Sequence, residues 1–81
     1  MGTLGRVALA EDRLREAGFR QLRVRHYGEL ARIELPDAEL DQAVARRSVI
    51  VAAVKAAGYR YVTLDLEGFR SGNLNDGVVG R

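Results

Sequence analysis

Apolar residues follow three rhythms along the chain. From Leu4 to Ala17 the residues Leu4, Val7, Ala8, Leu14 and Ala17 recur at steps of three and four, the spacing of one helical face, and Gly18 follows as a stop. Leu22–His26 and Leu30–Leu35 alternate with period two on either side of Tyr27-Gly28-Glu29, which predicts two strands joined by a tight turn. Pro36 and Asp37 open a second helix, with Asp37 as N-cap and Glu39 and Asp41 near its positive end. That helix is expected to reach Ala57 and close on Gly58, with Leu40, Val44, Val51 and Val54 as its buried stripe. Tyr59 to Leu66 reads as a third strand. In "EGFRSGNLNDGVVGR" neither period survives, so a loop and tail are expected: one domain over residues 1–75 and a flexible tail over 76–81. The stretches "REAGFRQLRV" and "KAAGYRYVTL" also echo each other, either as a pseudo-repeat or as the common joint of a helix stopping on glycine before a strand.

These elements predict an α+β fold in the order αββαβ. The connection from the second strand through the second helix to the third should be a parallel, right-handed crossover, while the first two strands form an antiparallel hairpin. The expected sheet is three-stranded, mostly antiparallel, in the order 2-1-3, with both helices on one face. Leu22, Val24, His26, Ala31, Ile33, Leu35, Val62, Leu64 and Leu66 then face the helices. Arg23, Arg25, Arg32, Glu34, Tyr61, Thr63 and Asp65 occupy the opposite, uncovered face.

Composition narrows the chemistry. A chain of 81 residues with 47% hydrophobic and 30% charged residues is one small folded domain. It has no apolar run long enough for a membrane span and no secretory leader pattern, so a cytoplasmic protein is expected. There is no cysteine and a single histidine, His26, which excludes disulfides, thiolate nucleophiles and the usual zinc sites. A net charge of +2 does not mark a general polyanion binder, so any anion site must come from local clustering of arginines.

On the uncovered face two readings stay open. Arg23, Arg25 and Arg32 can pair with Glu34 and Asp65 to keep an open sheet soluble. Alternatively, guanidinium groups two residues apart on a strand point the same way and offer forks that match phosphate or carboxylate oxygens. Gly68 and Gly72 flank Arg70 and Ser71 in a loop whose amides could approach an oxyanion. His26 is expected to be a packed histidine, and Arg46 and Arg47 to be solvated or snorkelling.

The stretches "GFRQLRVRHYGELARIEL" and "GYRYVTLDLEGFRSGNLN" resemble the C-terminal domain of the LarE-type ATP-dependent sacrificial sulfur transferases, within the PP-loop ATP pyrophosphatase superfamily. The likeness runs from about Val7 to Asn75 and rests on R-V-R-H, A-R-I-E and L-D-L-E-G-F-R-S-G together. It implies a two-part enzyme. A PP-loop domain uses ATP to adenylylate a carboxylate of a pyridinium mononucleotide, and a cysteine gives up its sulfur to make the thiocarboxylate of a nickel-pincer cofactor. By the same resemblance Arg23, Arg25 and Arg70 would be substrate- or phosphate-binding residues, and Glu34 would match an acidic metal-binding position. The superfamily's Ser-Gly-Gly-x-Asp-Ser loop is absent here, as is any cysteine. The implied role is therefore substrate binding and oligomerisation with no catalytic residue and no cofactor bound by this chain alone, ATP and a divalent metal belonging to the parent enzyme. The implied partners are a PP-loop domain of the same parent, a phosphate-bearing small molecule and further copies of the chain; the domain is expected to be excised from that longer parent, the alternative being a stand-alone relative that kept only the binding half. A small RNA-binding module, or a plain homo-oligomerisation domain, are the alternatives.

Overall fold

A computed structural model describes residues 2–69. The tail expected over 76–81 and the loop residue Arg70 lie outside the described residues. The elements are α1 (Thr3–Glu16), β1 (Arg23–Tyr27), β2 (Leu30–Glu34), a 3₁₀ turn (Asp37–Glu39), α2 (Leu40–Ala45), α3 (Arg47–Ala56) and β3 (Tyr61–Leu64). The architecture is α+β. One three-stranded mixed sheet carries its helices on one face, α1 against β1, α3 against β3, and α1 against α3.

Both long helices end by the same local chemistry. Gly18 and Gly58 take φ values of 109° and 104°, open to glycine without a Cβ penalty. Their amides bond back to the carbonyls of Arg15 and Lys55 at 2.9 Å, and the amide of Phe19 returns to Leu14 at 3.1 Å. The chain turns inward at each stop, so Phe19 and Tyr59 are 1% and 3% exposed. The echo between the two stretches is thus a structural repeat of one joint. A guanidinium from the other helical segment covers each aromatic ring: Arg46 lies 5.1 Å from the centre of Phe19, and Arg6 lies 5.4 Å from that of Tyr59.

Two expectations about the second helix are corrected. It is interrupted at Arg46, whose φ and ψ of −108° and 30° leave the helical region, so α2 and α3 are separate segments. Asp37 begins a 3₁₀ turn and makes no side-chain cap. The buried stripe keeps one helical phase across the break but lies to one side of the expected stripe. Ala43, Ile50, Val54 and Ala57 are buried and Leu40 is half-buried, whereas Val44 and Val51 are 48% and 38% exposed. In α1 the buried residues are Ala10 and Leu14, and Leu4 at the fraying end is exposed.

The strand order is β1-β2-β3, not 2-1-3. β1 pairs antiparallel with β2, with Arg23 opposite Glu34 and Arg25 opposite Arg32. β2 pairs in parallel with β3, with Leu30 opposite Tyr61 and Arg32 opposite Thr63. Both orders bury the same residues, so the alternation could not choose between them. The edges decide. The crossover returns β3 directly beside the strand it left, where the carbonyl of Glu29 accepts from the amides of Arg60 and Tyr61 at 2.9 and 3.0 Å. The far edge of β1 is closed by α1: the amide of Val24 donates to Oε2 of Glu11 at 3.1 Å, leaving no place for another strand there. β2, central and covered, has Ala31 and Ile33 at 0% exposure.

The third strand is shorter than the expected Tyr59–Leu66. Tyr59 belongs to the joint before it, and Leu66 is exposed beyond its end and not part of the covered face.

Candidate functional site

Period-two alternation and the register of the hairpin assemble the uncovered face in rows. One row across the sheet is Tyr27, Leu30 and Tyr61, and the next is Arg25, Arg32 and Thr63. A third is Arg23 and Glu34. The sequence placed Arg23, Arg25, Arg32 and Glu34 together, and the structure brings them together.

The ion pairs within this group are not those of the register. Oε1 of Glu34 accepts from Nε of Arg25 at 3.3 Å, across the strands on a diagonal. Oε2 accepts from Nε and Nη2 of Arg32 at 3.2 and 2.8 Å. The Glu34 side chain is only 14% exposed, while those of Arg25 and Arg32 are 45% and 41% exposed. These hydrogen bonds to Glu34 hold the Arg32 guanidinium above its ordinary pKa, the field of Tyr27 and Asp65 adding to the effect. Arg32 also lies 5.4 Å from the centre of the Tyr27 ring.

Arg23, the register partner of Glu34, is exposed and makes no ion pair among the described residues. One carboxylate therefore faces three guanidinium groups and engages two of them. This leaves one exposed cation with no carboxylate partner among the described residues, next to a second that is paired on one side only.

As a metal site the same group is poorly equipped. Both oxygens of Glu34 are taken by guanidinium groups, and no cluster of three or more His, Asp or Glu side chains converges among the described residues. Glu34 behaves here as the counter-ion of Arg25 and Arg32. His26 is half-buried, its Nδ1 lying 2.8 Å from the Tyr59 hydroxyl, a packed histidine as expected. Of the two expectations for Arg46, the snorkelling one fits: the side chain lies over apolar surface, its guanidinium stacked on Phe19.

Two further residues share this face with Arg23 and Arg25. Arg32 stands opposite Arg25, a position that follows once the tight turn fixes the hairpin register. Tyr27 ends β1 and does not belong to the turn; it continues the odd-numbered series Arg23, Arg25 and stands 53% exposed.

The fold and the face define a small α+β domain with an arginine-bearing sheet surface. No protein-family model matches the chain. It is 44% identical over 73 residues, 90% of its length, to pyridinium-3,5-bisthiocarboxylic acid mononucleotide synthase of Lactiplantibacillus plantarum, of which it covers 26%. It is 49% identical over 74 residues, 89% of its length, to an uncharacterised protein of Synechocystis sp., of which it covers 28%. The chain is homologous to the LarE-type pyridinium mononucleotide sulfur-transferase family and spans about a quarter of the length of these relatives. Among the described residues no helix is long and apolar enough to cross a membrane.

Proposed function

We propose that this chain is the substrate-phosphate-binding and oligomerisation domain of an ATP-dependent sulfur transferase acting on a pyridinium mononucleotide. The domain unit is residues 1–75, it works in the cytoplasm, and the rest of a longer parent supplies the PP-loop domain, the ATP site and the sulfur chemistry. Arg23 and Arg25 form the clamp for a phosphate of the mononucleotide or for leaving pyrophosphate, with Arg70 as a further contact. The observation that carries this reading is the charge imbalance on the uncovered face. Arg23 has no counter-ion among the described residues, and Arg25 gives Glu34 only one bond of 3.3 Å. An incoming phosphate can take both guanidinium forks without first breaking the tighter Arg32–Glu34 pair at 2.8 Å. Glu34 then holds Arg32 and restrains Arg25 in place. The metal role that the resemblance gives Glu34 needs ligands from beyond the described residues, so this reading routes no step through a metal.

The direct test is titration of the chain with pyrophosphate and with a pyridinium mononucleotide, followed by NMR. Shifts should concentrate on β1, weaken as salt rises, and vanish in the Arg23→Ala, Arg25→Ala double variant. Lys at both positions should restore only part of the affinity, because an ammonium lacks the planar fork. Shifts confined to α3, or normal binding by the double alanine variant, would reject the clamp.

One observation favours a second reading. Tyr27 and Tyr61, both about half exposed, flank Leu30 on the same face as the arginines, a surface on which bases of a single RNA strand could stack. Binding of a short single-stranded RNA that outcompetes pyrophosphate and is lost in Tyr27→Ala and Tyr61→Ala would favour that reading over the first.

A further inference from the structure

The chain has three tyrosines. Tyr59 is buried, with its hydroxyl 2.8 Å from Nδ1 of His26. Tyr27 and Tyr61 are placed differently. They stand 53% and 52% exposed, and neither hydroxyl has a hydrogen-bond partner among the described residues. Both belong to the row Tyr27, Leu30, Tyr61, in which half-buried Leu30 is the floor between them. A sheet face otherwise made of arginines, Glu34 and Thr63 thus carries one apolar, aromatic strip, directly beside the row that holds Arg25 and Arg32.

Neighbouring strands lie about 4.8 Å apart, so the two tyrosines rise from backbones roughly 10 Å apart. That is room for a single six-membered ring over Leu30 with an aromatic side chain at either side. One face of each tyrosine is already taken. The Arg32 guanidinium lies 5.4 Å from the centre of the Tyr27 ring, and that of Arg60 lies 5.6 Å from the centre of Tyr61. Rings that stay half exposed in spite of these contacts keep a second face open. Charge is graded along the same face. Beside the aromatic row each guanidinium is neutralised, Arg32 by Glu34 at 2.8 Å and Arg60 by Glu29 at 3.5 Å, whereas Arg23 has no carboxylate partner among the described residues.

We propose that Tyr27, Leu30 and Tyr61 form the subsite for the flat cationic ring of the mononucleotide whose phosphate Arg23 and Arg25 hold. The inference rests on that clamp reading and adds to it the residues that distinguish a nucleotide from a bare phosphate. Arg25 lies one row from Tyr27 on the same strand, a step of about 6.8 Å. A ribose separates phosphorus from the ring of a mononucleotide by a comparable span. The ligand's anionic end then meets the unbalanced arginines, and its cationic ring meets the neutralised row, where open tyrosine faces attract it. Arg32, fixed by Glu34 and stacked on Tyr27, holds that ring in place before the ligand arrives.

The test compares two ligands on the 81-residue chain: ribose 5-phosphate, which has the phosphate and no ring, and nicotinamide mononucleotide, which has both. Nicotinamide mononucleotide should bind about tenfold more tightly, with intermolecular NOEs from its ring protons to Tyr27 and Tyr61. In the Tyr27→Thr, Tyr61→Thr double variant, which keeps strand propensity, both ligands should bind with the parent's affinity for ribose 5-phosphate. Phenylalanine at both positions should preserve the preference. Should the threonine variant fail to fold, the parent's preference and the NOEs decide alone. Equal affinity of the parent for the two ligands, ring NOEs to other residues, or a preference that survives in the threonine variant would each overturn the ring subsite and leave the clamp standing. If the parent binds neither ligand, the clamp fails and the subsite with it.

Discussion

Tyr59 ties the joint before β3 to both of its neighbours. Its hydroxyl lies 2.8 Å from Nδ1 of His26, its ring meets the imidazole edge-on at 5.5 Å, and Arg6 covers its face. Burial pushes the phenol above its ordinary pKa, and the positive charge of Arg6 works against that shift. A raised phenol pKa means that the folded protein keeps a proton the unfolded chain releases. The resulting stability is fully present below the unfolded value, about 10, and is lost as pH rises through the folded one. Tyr59→Phe should cost about 0.5–1.5 kcal/mol at neutral pH through the lost hydrogen bond, and should flatten the decline above pH of about 10. Urea unfolding of both proteins at neutral and alkaline pH checks this; an equally steep alkaline decline in the variant would place its origin elsewhere. At this scale alternation revealed which face Arg23, Arg25, Arg32 and Glu34 share. It could not reveal that Arg32, two residues away on the same strand, outcompetes Arg23 for the carboxylate, because that depends on side-chain reach.

The helical segments show where periodicity misleads. A single helix from Asp37 to Ala57 puts Leu40, Val44, Val51 and Val54 on one stripe, and that pattern is sound for an unbroken helix. The residues that reach the core are Ala43, Ile50, Val54 and Ala57, spaced seven, four and three apart, a second helical stripe that shares only Val54 with the first and runs on across the departure at Arg46. No glycine or proline announces the break. Its visible correlate is the stacking of Arg46 on Phe19, a contact between positions far apart in sequence. Ala43→Asp and Val54→Asp should each unfold the domain, since an unpaired buried charge costs several kcal/mol against a total of about 5–10 kcal/mol. Val44→Asp should melt cooperatively within a few degrees of the parent, and circular dichroism separates the outcomes. Arg46→Ala should cost about 0.5–1 kcal/mol through the lost cation–π contact, with Arg47→Ala near neutral. The strand order was illegible for a related reason: two-residue alternation records faces, not neighbours. Evidence for β2 as the centre lay in a contact between distant residues, Glu11 closing the outer edge of β1.

For the whole molecule, the division into a helix-covered face and an arginine-bearing face makes ligand binding and stability separable in principle and linked in measurement. The core lies between sheet and helices, while the proposed clamp stands on the far side, so replacing Arg23 and Arg25 with alanine removes no buried contact. The melting temperature of the double variant without ligand should stay close to that of the parent, since exposed pairs such as Arg25–Glu34 contribute at most about 1 kcal/mol. Pyrophosphate binding only the folded parent must then raise its stability by mass action. At ten times its dissociation constant the gain is about 1.4 kcal/mol. In a domain of this size that corresponds to a rise of roughly 6–11 °C. The double variant, offered the same ligand, should show no rise, and sodium chloride at matched ionic strength should give none in either protein. A comparable rise in parent and variant would mean that the anion acts through another surface or by general exclusion, and the charge imbalance around Glu34 would then serve only to keep an open sheet in solution.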